Sequence, residues 1–316
     1  MQIKKPLFWD HYKPTFLSNI LLPLTFLMEI MNFILNRKKK LRYDKIFTIC
    51  IGNIYLGGTG KTPTVISLFR LLKKINLNIS TAKKFYSNQN DEHILLKRKT
   101  NFLLGRTRKS IIENAIKNKR KVLLFDDGLQ DKRIDYDLKF VCFDHDTWIG
   151  NGRLIPSGPM REKLESLKKY DAVFIKSINK NISSKKNIIK KINPRIKIFL
   201  THFKLLNINK FNKKKNYLIF SGIGNSLNFK KILIKNKFKI IKEIIFPDHY
   251  VYSDIDMYRI IDLSKKLNAK IITTEKDYVK INNKFNNIIK FLKIDLNISN
   301  KNELLNFVKK KIYEKY

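Results

Sequence analysis

Residues 45–62, KIFTICIGNIYLGGTGKT, decide the fold of this chain. The run 45–51 is largely apolar, which is typical of a buried strand, and residues 61–75 carry the amphipathic pattern of a helix. The glycines between them let the backbone curl until successive N–H groups point at one anion, and the helix adds its positive end. The stretch therefore predicts a phosphate-binding loop between a strand and a helix.

Two side chains of this loop have predicted roles in binding a nucleotide. Lys61 reaches the β- and γ-phosphates, and the Thr62 hydroxyl holds Mg²⁺. The usual pattern has glycine five places before Gly60, where this chain has Tyr55, so the loop is a variant. The predicted nucleotide-binding residues are Tyr55, Leu56, Gly57, Gly58, Thr59, Gly60, Lys61 and Thr62.

A second chemical signal follows the apolar run 122–125, VLLF, where Asp126 and Asp127 stand side by side. An apolar strand that ends in carboxylates is the element that holds the metal in P-loop enzymes. Such carboxylates orient Mg²⁺ through its waters. Together with the loop, they predict binding of a nucleoside triphosphate such as ATP, with Mg²⁺ held by Thr62, Asp126 and Asp127.

The rest of the chain alternates short apolar runs with amphipathic stretches, which predicts an α/β fold. We expect a P-loop NTPase-like, mostly parallel sheet flanked by helices, a second, smaller α/β domain and an N-terminal membrane-interface helix. A Lys/Asn-rich stretch at 207–216 is the expected linker, and 301–315 the expected terminal helix. The predicted domains are 1–40, 41–206 and 207–316.

The chain has 316 residues and a formal net charge of +40, which favours anionic partners such as nucleic acid, phosphorylated substrates or anionic lipid. The lysines are spread along the chain, as biased base composition would also produce. A P-loop ATPase or GTPase acting on nucleic acid therefore stays open as an alternative. No recognition helix or RNA-binding module is evident in the sequence, so we expect no specific nucleic-acid partner.

Cysteine and histidine give no sign of a structural metal or a disulfide. Cys50 and Cys142 lie in apolar, strand-like runs, so we expect buried free thiols in a reducing compartment. The five histidines show no metal-ligand spacing with the cysteines or with each other.

The amino-terminal stretch 18–35, SNILLPLTFLMEIMNFIL, is apolar but interrupted by Pro23, Glu29 and Asn32. It is shorter and more polar than a membrane-spanning helix requires. An interfacial helix fits better, because the basic cluster 37–40 that follows would meet anionic lipid headgroups. The alternative is a helix packed into the core of its domain.

Five stretches, taken together and in order, resemble the tetraacyldisaccharide 4′-kinase family of Gram-negative lipid A synthesis. They cover most of the chain from Phe47 to Lys280, and the missing early glycine of the loop is shared by that family. The stretches are residues 52–62, 126–130 (DDGLQ), 150–162 (GNGRLIPSGPMRE), 246–249 (FPDH) and 274–280 (TEKDYVK).

The resemblance implies transfer of the ATP γ-phosphoryl group to the 4′-hydroxyl of tetraacyldisaccharide 1-phosphate, which gives lipid IVA. It implies ATP and Mg²⁺ as cofactors and the lipid A disaccharide precursor as acceptor. The amino-terminal helix would then dock on anionic lipid at the cytoplasmic face of the inner membrane. We expect a monomer.

The resemblance also assigns the site residues. The family's acidic base lies in an Asp-Glu-Pro motif that Asp91-Glu92-His93 matches, and His249 matches the histidine that pairs with that aspartate. Such a pair would share the proton of the sugar hydroxyl. The residues expected to contact phosphate or substrate are Arg106, Arg108, Gln130, Arg161 and Glu162.

Three departures from the family pattern bear on substrate grip and turnover. The family's Ser-Arg-Gly-Tyr-Gly segment is replaced by residues 81–86, TAKKFY. His93 stands where the family has proline, and Asp131 where it has histidine. An enzyme of lower efficiency, or a relic that binds nucleotide without transferring phosphate, therefore remains an alternative.

Overall fold

The computed structural model describes residues 6–35, 40–177 and 181–316, which divide into two compact units. The large unit contains 6–85, 99–203 and 296–316, and the small unit contains 86–98 and 204–295. The domains predicted from the sequence, 1–40, 41–206 and 207–316, are consecutive in the chain. The units interleave instead, because the last strand of the chain joins the large sheet and the segment 86–98 belongs to the small unit.

The large unit is built on an eight-stranded sheet in the order β12-β7-β6-β5-β1-β4-β2-β3. All six pairings along the run from β7 to β3 are parallel. The strands are β1 (Phe47–Gly52), β2 (Ile79–Lys84), β3 (Phe102–Gly105), β4 (Val122–Asp126), β5 (Leu138–Asp144), β6 (Ala172–Lys176), β7 (Lys197–Leu205) and β12 (Ile294–Ile298).

The central strands are buried along their whole length, as expected for parallel strands covered on both faces. This burial explains why β1, β4 and β6 read as continuous apolar runs in the sequence. Cys50 and Cys142 are free thiols buried within β1 and β5, which confirms that both are buried and unpaired with each other.

The helices of the large unit flank this sheet. They are α1 (Phe16–Ile20), α2 (Leu22–Leu35), α3 (Lys61–Lys73), α5 (Arg108–Lys117), α6 (Ser183–Ile192) and α10 (Lys301–Tyr313). Helix α3 begins at Lys61, as predicted, and α10 is the predicted terminal helix. Phe307 of α10 packs against Phe140 of β5, with ring centroids 6.3 Å apart, so the last helix is part of the large unit.

The small unit carries a second, four-stranded parallel sheet in the order β11-β10-β8-β9. Its strands are β8 (Asn216–Ser221), β9 (Lys239–Ile245), β10 (Ala269–Thr274) and β11 (Ile289–Leu292). Its helices are α4 (Asn90–Lys99), α7 (Ser226–Lys235), α8 (Asp254–Lys266) and α9 (Glu275–Tyr278). Leu218, Phe220, Met257 and Ile271 lie in its core. A mostly parallel sheet and a second α/β unit are the fold class that the sequence predicts.

The amino-terminal helices present their apolar side chains outward. Phe26 and Leu27 of α2 are 63% and 57% exposed, whereas Ser18 and Thr25 are buried. The Ser18 hydroxyl donates to the Ser157 carbonyl at 2.6 Å, and the Thr25 hydroxyl lies 2.9 Å from the Ser157 hydroxyl. A helix packed into the core of its domain would instead bury its apolar face and expose its polar face. Arg37, Lys38 and Lys39 of the predicted basic cluster lie outside the described residues.

Across 6–35, 40–177 and 181–316, we find no helix with both the length and the apolar character needed to cross a membrane.

We expect Leu124→Ala in β4 to lower the free energy of unfolding of the large unit by about 3 kcal/mol, because the leucine is fully buried and would leave a cavity. Leu104→Ala in β3 is the matched control, since that leucine is 42% exposed. The chain's two tryptophans, Trp9 and Trp148, both lie in the large unit, so urea unfolding followed by tryptophan fluorescence reports on it. Equal losses for the two variants would contradict this description of the core.

Candidate active site

The phosphate loop lies between the carboxyl end of β1 and the first turn of α3, in the large unit. Gly60 caps α3 with a φ of +86°, in the left-handed region where side chains other than glycine are strained. Gly52 packs against the Leu129 side chain, so closely that an added Cβ would lie 2.6 Å from Leu129 Cγ. The loop therefore requires glycine at both positions, for two different reasons.

Asp126 at the end of β4 meets the loop directly. The parallel pairing of β1 with β4 sets Ile51 opposite Asp126, which brings the acidic strand end beside the phosphate loop. The Thr62 hydroxyl donates to Asp126 Oδ2 at 2.8 Å. Two of the three predicted metal-holding residues are thus joined in one hydrogen bond.

Lys83 is a member of this site that the sequence analysis missed. Its ammonium lies 3.0 Å from Asp126 Oδ2, and both side chains are almost fully buried. Lys83 lies in β2, next to β4 in the sheet, within the segment that departs from the family pattern. The sequence of β2, ISTAKK, contains two adjacent lysines and two hydroxyl residues, so nothing in it marks Lys83 as buried. The buried ammonium needs an anionic partner, and the fold supplies Asp126.

Asp127 takes part in a second ion-pair group. Its Oδ2 lies 3.3 Å from Lys61 Nζ and 3.5 Å from a guanidinium nitrogen of Arg161. Burial raises the pKa of Asp127, but Lys61, Arg161 and Lys83 outweigh burial and lower the pKa to about 2. Asp127 is therefore an anion over the whole physiological range, and it holds the Lys61 ammonium at the mouth of the loop.

Residues 150–162 form a strap that runs along the phosphate loop. The Leu56 N–H donates to the Pro159 carbonyl at 2.8 Å, and the Arg161 N–H donates to the Ile54 carbonyl at 2.7 Å. Tyr55 and Met160 form an antiparallel bridge between the two segments. These backbone hydrogen bonds join two stretches that are about a hundred residues apart in the chain. The sequence alone does not reveal this pairing.

Arg161, Gln130 and Glu162 form a hydrogen-bonded chain at the base of the strap. Arg161 donates to Gln130 Oε1 at 3.1 Å, and Gln130 Nε2 donates to the Asn53 carbonyl at 2.9 Å and to Glu162 Oε1 at 3.3 Å. The Tyr170 hydroxyl donates to Glu162 Oε2 at 2.9 Å. Three of the five predicted phosphate or substrate residues are thus brought together here.

The other two predicted arginines are placed differently. Arg108 is buried, and it donates to Asp131 Oδ2 at 2.8 Å and to the Asp127 carbonyl at 2.7 Å. Its guanidinium thereby fixes the turn that carries Asp126 and Asp127. The partner Asp131 stands where the family has histidine, so this departure is accommodated by an ion pair. Arg106 is exposed.

Two further contacts stabilise the phosphate loop. Neither was predicted from the sequence. Lys176 at the end of β6 forms a buried ion pair with Asp144 at 2.7 Å, and its ammonium donates to the Gly58 carbonyl at 3.3 Å. The Tyr55 hydroxyl donates to Asp10 Oδ1 at 2.6 Å. Tyr55 thus acts within the loop as a buried anchor.

Asp91 and His249 form a hydrogen-bonded pair within the small unit. His249 Nδ1 lies 3.0 Å and 3.2 Å from the two carboxylate oxygens of Asp91. Asp91 lies in the first turn of α4 and is almost fully buried, while the His249 side chain is 17% exposed. His249 has a φ of +59°, in the left-handed region that is uncommon for residues other than glycine.

Positive charge surrounds Asp91. Lys276 Nζ lies 3.5 Å from Asp91 Oδ2, and Lys280 Nζ lies 3.8 Å from the same atom. Burial raises the pKa of Asp91, but the hydrogen bond from His249 and the charges of Lys276 and Lys280 outweigh it, so the pKa is lowered. A buried carboxylate that stays ionised beside an accessible imidazole is the arrangement of a base and its orienting partner.

The residues beside the phosphate loop suit Mg²⁺ chemically. Thr62, Asp126 and Asp127 offer oxygen atoms, which are the ligands this ion prefers, and phosphate oxygens and water would complete its shell. Within the part of the chain that the structure describes, no group of three or more His, Cys, Asp or Glu side chains could hold a metal ion. A P-loop metal needs no such group, because it takes only one or two carboxylates.

Comparison with known proteins identifies the family. The family model described as tetraacyldisaccharide-1-P 4'-kinase (LpxK) matches residues 17–87 and 78–313. A tetraacyldisaccharide 4'-kinase of Pelagibacter ubique is 45% identical over 97% of each chain. One from Rickettsia canadensis is 32% identical over 98% of this chain and 97% of its own.

A solved structure shares the fold. LpxK from Aquifex aeolicus, crystallised in an "apo" form in complex with ATP, superposes with a TM-score of 0.70 and 21% identity. The match covers 94% of this chain and 100% of the other. The predicted P-loop kinase fold class and the resemblance read from the five sequence stretches are confirmed, and this chain belongs to the tetraacyldisaccharide 4'-kinase family.

Proposed function

We propose that this chain transfers the γ-phosphoryl group of ATP to the 4′-hydroxyl of a tetraacyldisaccharide 1-phosphate, with lipid IVA as product. The observation that carries the proposal is the joined phosphate loop and acidic strand end, Thr62 hydrogen-bonded to Asp126, in a member of this kinase family. The loop supplies the donor site that the family's reaction requires.

Lys61 and Arg161 are the cations that we assign to the phosphates of ATP. Both contact Asp127, which orients them, and a bound γ-phosphate would share their charge. Little covalent chemistry falls to the protein in phosphoryl transfer, so positioning and charge neutralisation dominate the rate. We assign Thr62, Asp126 and Asp127 to Mg²⁺, which when bound neutralises charge on the phosphate oxygens.

Asp91 and His249 are the base that we assign to the acceptor hydroxyl. With the proton on His249 Nδ1 donated to Asp91, the other ring nitrogen, Nε2, has the lone pair that can accept a proton. The anionic Asp91 stabilises the imidazolium that results. His249 is the more exposed member, which supports its role as the group that contacts the hydroxyl.

We expect Lys61→Ala to lower kcat for lipid phosphorylation by at least about 100-fold, because a charge-neutralising group at the transferred phosphoryl is lost. Lys73→Ala, at the exposed far end of the same helix, is the matched control and should keep the wild-type rate. The measurement is transfer of labelled phosphate from ATP to the tetraacyl disaccharide 1-phosphate in detergent micelles. An active Lys61→Ala enzyme would refute the donor site.

We expect Asp91→Asn and His249→Gln each to lower kcat by about 10²–10⁴-fold, with the KM for ATP unchanged, since each removes half of the base. The double variant should fall no further than the worse single variant, because the two residues act as a unit. His202→Gln, which changes an exposed histidine of the large unit, away from the pair, is the control. Independent, multiplicative losses would show that the pair is not a functional couple.

We also propose that the outward apolar face of α1 and α2 docks on anionic lipid at the cytoplasmic face of the inner membrane, and that the chain works as a monomer. Among the side chains of residues 16–30 in these helices, six apolar ones are more than 45% exposed: Phe16, Leu17, Ile20, Leu24, Phe26 and Leu27. Burying such side chains in the acyl boundary is favourable, while the net charge of +40 favours anionic headgroups. Light scattering in detergent tests the monomer.

We expect Leu27→Ser to weaken binding to vesicles of phosphatidylglycerol and phosphatidylethanolamine about tenfold, since about 1.5 kcal/mol of apolar burial is lost. Leu227→Ser is the matched control, because that leucine is similarly exposed, at 63% against 57%, but lies in the small unit. Vesicle sedimentation measures both. Equal binding of the two variants would contradict docking through α1 and α2.

A further inference from the structure

Lys276 lies at the centre of the charged groups around Asp91. Its ammonium is 3.2 Å from Glu92 Oε1, 3.4 Å from Asp248 Oδ1 and 3.5 Å from Asp91 Oδ2. Glu92 and Asp91 belong to the first turn of α4, and Asp248 directly precedes His249 in the chain. One ammonium on α9 thus ties together the two segments that carry the proposed base.

Lys280 supports the same carboxylate from one turn further on. Its ammonium is 2.7 Å from Asp277 Oδ1 and 3.8 Å from Asp91 Oδ2. Asp277 is buried, and its other oxygen accepts hydrogen bonds from the Gly222 N–H and the Thr274 hydroxyl. Lys280 is therefore fixed mainly by Asp277, whereas Lys276 faces Asp91 and its neighbours directly.

We propose that Lys276 is a positioning residue, which keeps Asp91 anionic and directed at His249 Nδ1 so that the imidazole can accept the hydroxyl proton. This inference rests on the proposed base and deepens it. Without the ammonium, the charge of this almost fully buried carboxylate would be stabilised by His249, by the hydrogen bond from the Glu92 N–H and by the more distant Lys280. Protonation of the pair would then begin at higher pH.

A phosphate-binding role for Lys276 fits the contacts less well. Lys61, the lysine of the phosphate loop, pairs with one carboxylate, Asp127. Lys276 is engaged by three, and an added phosphate would have to displace them or join a group already rich in negative charge. Burial lowers the pKa of Lys276, but Glu92, Asp248 and Asp91 outweigh it and raise the pKa well above the ordinary value, so the ammonium does not titrate under assay conditions.

The direction of the pH effect follows from these charges. The charged groups that face Asp91 are His249 from the loop before α8 and Lys276 and Lys280 from α9 and the turn after it. The backbone N–H of Glu92 also donates to Asp91 Oδ1, at 2.8 Å. On the other side of the imidazole, Asp248 Oδ2 lies 3.8 Å from His249 Nε2. Removing one cation makes protonation of the Asp91–His249 pair easier. The acid limb of the rate profile is the pH range in which protonation of the base lowers the rate. This limb therefore moves to higher pH.

The test is the pH profile of kcat/KM for the full chain in the micelle assay. We expect Lys276→Met to move the acid limb up by about 1 pH unit, and Lys276→Arg to restore it largely, because the charge is kept. Lys284→Met is the matched control, since Lys284 pairs at 2.6 Å with Asp254, an exposed partner outside this group. An unmoved acid limb in Lys276→Met, with only a lower kcat, would overturn the proposal and leave a purely structural lysine.

A second measurement does not depend on activity. The titration of the His249 ring, followed by NMR and assigned by its absence in His249→Gln, should have a higher midpoint in Lys276→Met than in the wild type. Should Lys276→Met fail to fold, Lys280→Gln must show a smaller shift in the same direction. An unchanged midpoint in the folded variant tested would reject the role assigned to these lysines.

The same series separates this inference from the proposed base. If Asp91→Asn retains the wild-type rate, the Asp91–His249 base is wrong, whatever Lys276 does. If Asp91→Asn is inactive while Lys276→Met has a wild-type acid limb and a wild-type His249 midpoint, the base stands and the positioning role of Lys276 is rejected.

Discussion

The parallel pairing of β1 with β4 is the constraint on which the donor site depends. It brings two segments that are far apart in sequence to the same edge of the sheet, so that the Thr62 hydroxyl donates to Asp126. Since the carboxyl ends of parallel strands meet at one edge, a loop after one strand and an acidic residue at the end of the next become neighbours. Lys83 from β2 then joins the same carboxylate. The order of neighbouring strands thus places Thr62, Asp126 and Lys83 in one site.

Much of the donor site could be predicted because its chemistry is local. The loop, the helix that begins at Lys61 and the acidic end of β4 are each contained in a short stretch with its own physical signature. The contact between Asp91 and His249 joins residues 158 positions apart, and only the resemblance to a family suggested it. The strap 150–162 was recognised as a motif, but nothing in its composition predicted that it pairs with the phosphate loop.

The lysines that pair with aspartates at these sites could not be predicted, for a reason specific to this chain. With 66 lysines and arginines, a lysine that neutralises a buried carboxylate is indistinguishable in sequence from one that solvates the surface. Lys83, Lys176 and Lys276 each contact an aspartate. The sequence instead predicted arginines as the cations that contact phosphate or substrate. Of those arginines, Arg108 instead fixes the turn after β4. A high net charge therefore hides the few cations whose positions matter.

Formation of the phosphorylated lipid tests the central claim most directly. The protein, ATP, Mg²⁺ and tetraacyl disaccharide 1-phosphate in detergent should give a bis-phosphorylated lipid, with the new phosphate shown by ³¹P NMR to be on the 4′-oxygen. Retained ATP hydrolysis without any such lipid would contradict the account, and it would favour an ATPase that acts on a different partner.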